Sequence, residues 1–210
     1  MAYVNSTTFK IIKMTASIIQ ELYGNGNINR AVLASIRGAS SMTSPRAQSV
    51  WPIMMEKLDP AMLSQNGKPT RAETAVYSAL RFYAIHQQGK EPSVAGISGR
   101  DEAADGITLF AALANLRRNE DTRAALDRRV QALFGTTNIS SVINSITHLV
   151  EILKATTPNQ KIDYARLAGD LYRYQGGYQQ ARQVSLAWAQ QYYRFIKQPV
   201  TLTEGEKNND

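Results

Sequence analysis

The side chains able to do chemistry in this sequence are two histidines, one tight acidic cluster and an excess of arginine. His86 and His148 are the only histidines, and cysteine is absent. That absence removes disulfide scaffolds, cysteine-held zinc and thiol nucleophiles. His86 closes the apolar run AVYSALRFYAIHQQ, where a cation near a helix C-terminal dipole is unremarkable. His148, within SITHLVEIL, reads as a core or boundary histidine. Asp101, Glu102 and Asp105 stand close together in DEAAD. Hard cations want more oxygen ligands than these, so a solvated acidic loop is expected there. The chain contains no H-E-x-x-H, G-x-S-x-G or G-x-x-x-x-G-K-[ST] motif. The glycines of GNGN and GISGRDEAADG do not follow a strand, so neither reads as a phosphate loop. The expectation is no catalytic site, no metal and no cofactor.

Arginine is distributed differently. The formal net charge is +7 and the sequence pI about 9.7. The last thirteen residues, 198–210, hold Glu204, Glu206, Asp210 and Lys207, a net of −2, which leaves +9 on the remainder. Such a balance favours polyanions or acidic partner surfaces and says nothing of fold. Two zones contain no Asp or Glu: Leu22 to Met55, with Arg30, Arg37 and Arg46, and Leu171 to Thr203. In the second, the run ARQVSLAWAQQYYRFIK places Val184, Trp188, Tyr192 and Phe195 on one helical stripe. Arg182, Gln190, Tyr193 and Lys197 gather opposite, while Arg194 lies on the flank.

Elsewhere arginines come in pairs, Arg117 with Arg118 and Arg128 with Arg129, and Arg166 and Arg173 project two turns apart from DYARLAGDLYRYQ. Guanidinium carries a rigid fork of donors that matches phosphate and keeps its charge. Tyr172, Tyr178 and Tyr193, interleaved with these cations, are placed to stack on unpaired bases. The plainer alternative stands beside this. Asp170 has the spacing to pair with both Arg166 and Arg173, and Arg123 and Arg129 have stems able to cover the apolar stripe.

The elements that must carry these side chains are helical. Patterned segments repeat at helical period and alternating strands are scarce. Helices are expected at Thr8–Tyr23 and Ile28–Arg37, then after Ser44-Pro45 with a kink or restart at Pro52. Thr70 and Glu73 form a T-x-x-E capping box ahead of the next helix. Gly89–Gly106 reads as a long exposed loop. Four helices follow it before the final run, one of them stopped by Gly135. At 210 residues and 43% apolar, one substantial core is affordable. The fold class is all-α, a single helical bundle of about eight or nine helices with a long loop near the middle. The domain is expected over 1–197 and a disordered acidic tail over 198–210. Lys10 and Lys13 interrupt the apolar pattern a signal peptide needs, and no run is long enough to span a bilayer. A soluble cytoplasmic protein with no membrane partner is expected.

Several segments together carry a resemblance. INRAVLASIRGA, ALRFYAIHQQG, LDRRVQALF, KIDYARLAGDLYRYQ and LAWAQQYYRF occur in the order and spacing of the small subunit of the type I-E CRISPR surveillance complex, Cascade. The chain resembles this CasB family over about residues 5–197. The resemblance implies an all-helical, non-enzymatic subunit, present as two copies beside the guide-RNA-containing backbone and large subunits. It further implies basic surfaces that hold the target and displaced DNA strands and stabilise the R-loop. Carried over by position, Arg37 matches the early basic site. Arg117, Arg118, Arg128 and Arg129 match the basic mid-section, and Arg166 the DYARL segment. Phe110-Ala111 stands where relatives commonly have Gly-Arg. Gln183, Ser185 and Ala187 replace basic positions of the last helix and Gln191 a frequent acid, which leaves Arg182 and Arg194 as its candidates. The nucleic-acid-binding set is therefore Arg30, Arg37, Arg117, Arg118, Arg128, Arg129, Arg166, Arg173, Arg182, Arg194 and Lys197. The competing reading is a helical scaffold whose basic faces meet acidic protein partners without touching DNA.

Overall fold

The first helix, α1 (Ser6–Tyr23), stops where Gly24, Asn25 and Gly26 all take positive φ, of 56°, 52° and 98°. A computed structural model describes residues 6–100 and 102–194. Helix α2 (Arg30–Arg37) starts two residues later than the sequence pattern suggests. Asn29 is its cap, accepting from the Val32 amide at 3.2 Å. A 3-10 stretch, Pro45–Val50, leads into α3 (Trp51–Lys57). Ser44 precedes the stretch but makes no side-chain cap. Pro52 falls in the first turn of α3, where its missing N–H costs nothing, so it restarts the helix.

The capping box opens α4 (Arg71–Gln87) as expected. The Thr70 hydroxyl accepts from the Glu73 amide at 3.1 Å, and Glu73 Oε2 accepts from the Thr70 amide at 2.8 Å. Then come α5 (Leu109–Leu116), α6 (Glu120–Phe134), α7 (Ile139–Thr156), α8 (Tyr164–Tyr174) and α9 (Tyr178–Tyr193). Gly135 does close α6, yet its φ of −78° is right-handed, so the position does not require glycine. Among the described residues the α-helices number nine. Phe195, Lys197 and the 198–210 tail lie outside the described residues.

Helix α4 is buried on nearly every side and runs through the middle of the bundle, packed by α1, α2, α7 and α8. That explains why its apolar residues are spread around the helix instead of confined to one stripe. At the other end, Trp188 of α9 stacks between Phe110 of α5 and Tyr174 of α8, at centroid distances of 4.8 and 5.7 Å. Val184, Trp188 and Tyr192 are each 1% exposed, as their shared stripe requires. Burying such aromatic side chains stabilises the fold by roughly 1.5–3 kcal/mol apiece.

The expected long exposed loop over Gly89–Gly106 is corrected by the structure. Val94 is buried, and backbone bonds fasten the segment to residues 161–163. The Ile162 amide donates to Val94 O at 2.9 Å, and the Gly96 amide returns to Ile162 O at 3.1 Å. Ile107 and Asp163 complete the clasp, through bonds of 3.1 Å to Lys161 O and 3.0 Å to Ile107 O. Gly96 and Gly106 pass so closely that a Cβ on Gly96 would lie 3.0 Å from Gly106 Cα. The segment is thus an ordered strap with its outer residues in solvent. The acidic cluster changes with it. Asp105 is not simply solvated, because it accepts from the Ile97 amide and pairs with Lys161 Nζ at 2.7 Å. Asp101 lies outside the described residues.

Candidate nucleic-acid interface

Two of the sequence candidates meet two lysines that sequence reasoning missed. Arg30 and Arg37 begin and end α2 on one side, seven residues apart. They line a shallow cleft of about 100 Å³ with Gln87, Gln88 and Lys90 from the end of α4. Lys154, in the last turn of α7, reaches Gln88 Oε1 at 2.8 Å. Lys90 Nζ donates to His86 O at 2.7 Å. None of these four cations pairs with a carboxylate among the described residues. Burial lowers the Arg37 pKa, and burial with the nearby Lys154 charge lowers that of Lys90. The only sequence-level signal for the lysines is their position at helix C-termini.

A second basic surface forms where α5, α6 and the end of α9 converge. Arg117, Arg118, Arg123 and Arg194 line one shallow pocket there with Tyr192. Arg117 grips Asp127 with two bonds, Nε to Oδ1 at 2.8 Å and Nη2 to Oδ2 at 3.2 Å. Tyr192 O–H donates to the same carboxylate at 2.6 Å, and the Arg117 guanidinium lies 5.1 Å from the Tyr193 ring centroid. Burial pushes the Asp127 pKa up, but the bonds from Arg117 and Tyr192 outweigh it and hold the carboxylate below its usual range. Arg117 is therefore committed to the fold. Arg118, Arg128 and Arg194 are exposed and unpaired with any carboxylate among the described residues. Arg129 is also exposed, with Nη1 resting on Ala125 O at 3.0 Å.

The arginines of α8 and α9 divide similarly. Surface pairing of Asp170 with Arg166 and Arg173 does not occur. Asp170 turns inward and accepts from Trp188 Nε1 at 2.9 Å. Burial raises its pKa, partly offset by that bond and by the two arginine charges. Arg166 is left exposed, with one long contact of 3.5 Å to Ser98 Oγ, and Arg173 is half-buried without an ion pair. Arg182 closes the end of α6, donating to Phe134 O at 2.8 Å. Of the candidate stacking tyrosines, Tyr178 is 72% exposed and Tyr193 36%. Tyr172 is covered by Arg71, whose guanidinium lies 4.7 Å from its ring centroid.

The histidine expectations are reversed. His86 is wholly buried, its Nδ1 2.8 Å from the Tyr164 hydroxyl, and its pKa falls to about 4. It is a neutral core residue, not a cation at a helix end. His148 is exposed and faces Glu151 at 3.3 Å. Among the described residues no group of His, Asp or Glu has the arrangement of a metal site. No helix among them is long and apolar enough to cross a membrane.

A bundle that is all-helical among the described residues and carries two separate basic surfaces defines a class of basic helical proteins. The model of CRISPR-associated protein Cse2 matches residues 32–193, and the chain belongs to that family. It is a CasB/Cse2 subunit of a CRISPR Cascade complex, as its resemblance in sequence implies. Its fold is similar to the crystal structure of CasB from Thermobifida fusca, with a TM-score of 0.63 at 20% identity, covering 89% of this chain and 97% of that one. No curated protein matches the chain.

Proposed function

We propose that this subunit works without catalysis, holding DNA phosphates while guide pairing opens the duplex and so stabilising the R-loop and its displaced strand. The patch of Arg30, Arg37, Lys90 and Lys154 carries this reading. Four cations without an ion-paired carboxylate among the described residues favour a bound polyanion. Exchange of a DNA duplex for an RNA–DNA hybrid is nearly balanced in free energy, so modest backbone contacts tip it. Arg118, Arg128, Arg166 and Arg194 extend the phosphate-binding set, and Tyr178 and Tyr193 offer exposed rings to unpaired bases. Arg117 and Arg182 support the surface from beneath. The cytoplasm is the compartment this role requires, and a second copy beside the first would lengthen the track.

One observation favours the scaffold reading as a second use of the surface. Leu186, 61% exposed, shares the outer stripe of α9 with Tyr178, and an apolar stripe of that kind suits a protein neighbour. The test is fluorescence anisotropy with mixed-sequence single-stranded and duplex DNA, at low and physiological salt. Wild-type protein should bind regardless of sequence and lose affinity steeply with salt. The double variant Arg37→Ala/Arg128→Ala should bind more weakly with a flatter salt slope and an unchanged melting temperature. Flat wild-type curves at both salts would refute direct DNA binding by the subunit and leave the scaffold reading in its place.

A further inference from the structure

A large groove away from the basic patches lies between residues 40–42, α4 and the first turns of α7, with Lys68 and Pro69 at its edge. Its volume is about 500 Å³, within the range of small-ligand sites. Arg81, from the middle of α4, lies within it. Arg81 Nη1 donates to Thr147 Oγ1 at 2.9 Å, but Nε is buried and has no partner. The chain therefore under-uses this guanidinium, and the donors of its fork that face the groove remain for an outside acceptor. No carboxylate lines the groove. The nearest sequence candidate, Glu73, is spent on the Thr70 and Ser64 amides.

The remaining wall is of two kinds. Met42, Pro69, Ile139 and Ile143 give it flat apolar surface. Asn144 and Gln175 give it amide edges. Gln175 uses its NH₂ on Arg71 O and Leu171 O, which leaves its carbonyl as an acceptor. Asn144 is exposed and presents both donor and acceptor. A carboxylate from a protein partner needs donors alone and fills little of this volume. Apolar walls, mixed amide edges, a buried guanidinium and an exposed lysine at the rim together match a flat heterocycle attached to a phosphate.

We infer that this groove receives one unpaired nucleotide of a bound strand, its base against Arg81 and its phosphate on Lys68. The inference rests on the DNA-binding reading and adds to it a base preference. Guanidinium donors pair best with two adjacent acceptors, which guanine offers at O6 and N7 and which adenine lacks on every edge. The site is distinct from the phosphate patches, because it opens on the first and middle turns of α4, the first turns of α7 and the 40–42 and 68–69 segments, whereas the α2 patch draws on the C-terminal ends of α4 and α7.

The test titrates the whole chain by calorimetry with dGMP, dAMP and inorganic phosphate, and in parallel measures single-stranded DNA binding by anisotropy. Two variants accompany the wild type. Arg81→Met removes the buried donor, and Ser140→Tyr fills the groove from an exposed position without disturbing the core. The expected result is dGMP binding in roughly the millimolar range, weaker dAMP binding, and a loss of about tenfold or more for dGMP in both variants. Binding of dGMP no tighter than inorganic phosphate, or unchanged in Ser140→Tyr, overturns the inference. If strand binding persists with its salt dependence while dGMP fails, the inference alone falls. If no strand binds at either salt, the DNA-binding reading falls, and groove-dependent dGMP binding would then stand as a nucleotide site in its own right.

Discussion

His86 illustrates how burial, not sequence neighbourhood, sets the state of a single group. Desolvation is the main cause of its fall to about 4, and the Lys90 and Lys154 charges act in the same direction. In the unfolded chain the ring titrates near 6.5. As pH drops through that value the unfolded state takes up a proton that the folded state refuses. Stability is therefore fully present above pH 6.5 and lost progressively toward pH 4, by about 1.4 kcal/mol per unit. The loss from this group should reach about 2 kcal/mol between pH 6.5 and 5. Urea unfolding of wild type and His86→Gln over that interval checks it, since the variant keeps the carboxylate contributions and lacks this one. Parallel pH dependences in the two proteins would show that the imidazole is not held neutral. The reversal of the two histidines was not legible locally, because His86 owes its burial to Tyr164, seventy-eight residues away in sequence.

At the scale of elements, the closest helix contact is between α1 and α8, and Gly169 permits it. A Cβ at Gly169 would lie 2.7 Å from Ile12 Cγ1 and 3.2 Å from Thr8 Cγ2. Gly169→Ala should destabilise the protein by roughly 1–3 kcal/mol through this overlap, against a gain of under about 1 kcal/mol in helix propensity. Adding Ile12→Ala removes the obstructing atoms, so the double variant should recover part of the loss despite its smaller core. Differential scanning calorimetry of the three proteins tests the coupling, and simple additivity would mean that α1 moves aside freely. Features encoded within a few residues were readable beforehand. The Thr70–Glu73 box, the Pro52 restart and the stripe of Val184, Trp188 and Tyr192 all depend on local spacing. The strap over Gly89–Gly106 was not, because its partners at Lys161–Asp163 form isolated bridges with no alternating pattern to announce them. Lys90 and Lys154 escaped notice for the same reason, each looking like an ordinary solvated lysine until the fold brings both to the end of α4.

Over the whole molecule, the charge that sequence assigns to the chain as a sum is divided between separate surfaces. One is built on α2 with the ends of α4 and α7, the other on α6 with the ends of α5 and α9. Whether one strand crosses both can be read from salt dependence. Each phosphate neutralised on a single strand contributes about 0.7 to the slope of log affinity against log salt. Arg30→Ala/Arg37→Ala/Lys154→Ala should therefore reduce the slope by about 2, and Arg118→Ala/Arg128→Ala/Arg194→Ala by a similar amount. Lys90 is best left in place, because its bond to His86 O closes α4 and its loss would mix stability with binding. If one strand runs over both patches, the six-fold variant should lose the sum of the two slopes on the same single-stranded probe. If the patches hold different strands, one triple variant should change only the single-stranded slope and the other only the duplex slope. Either pattern is compatible with holding opened DNA, but only the second assigns different strands to the two surfaces. Unchanged slopes in both triples, with melting temperatures intact, would remove the arginine patches from DNA binding altogether.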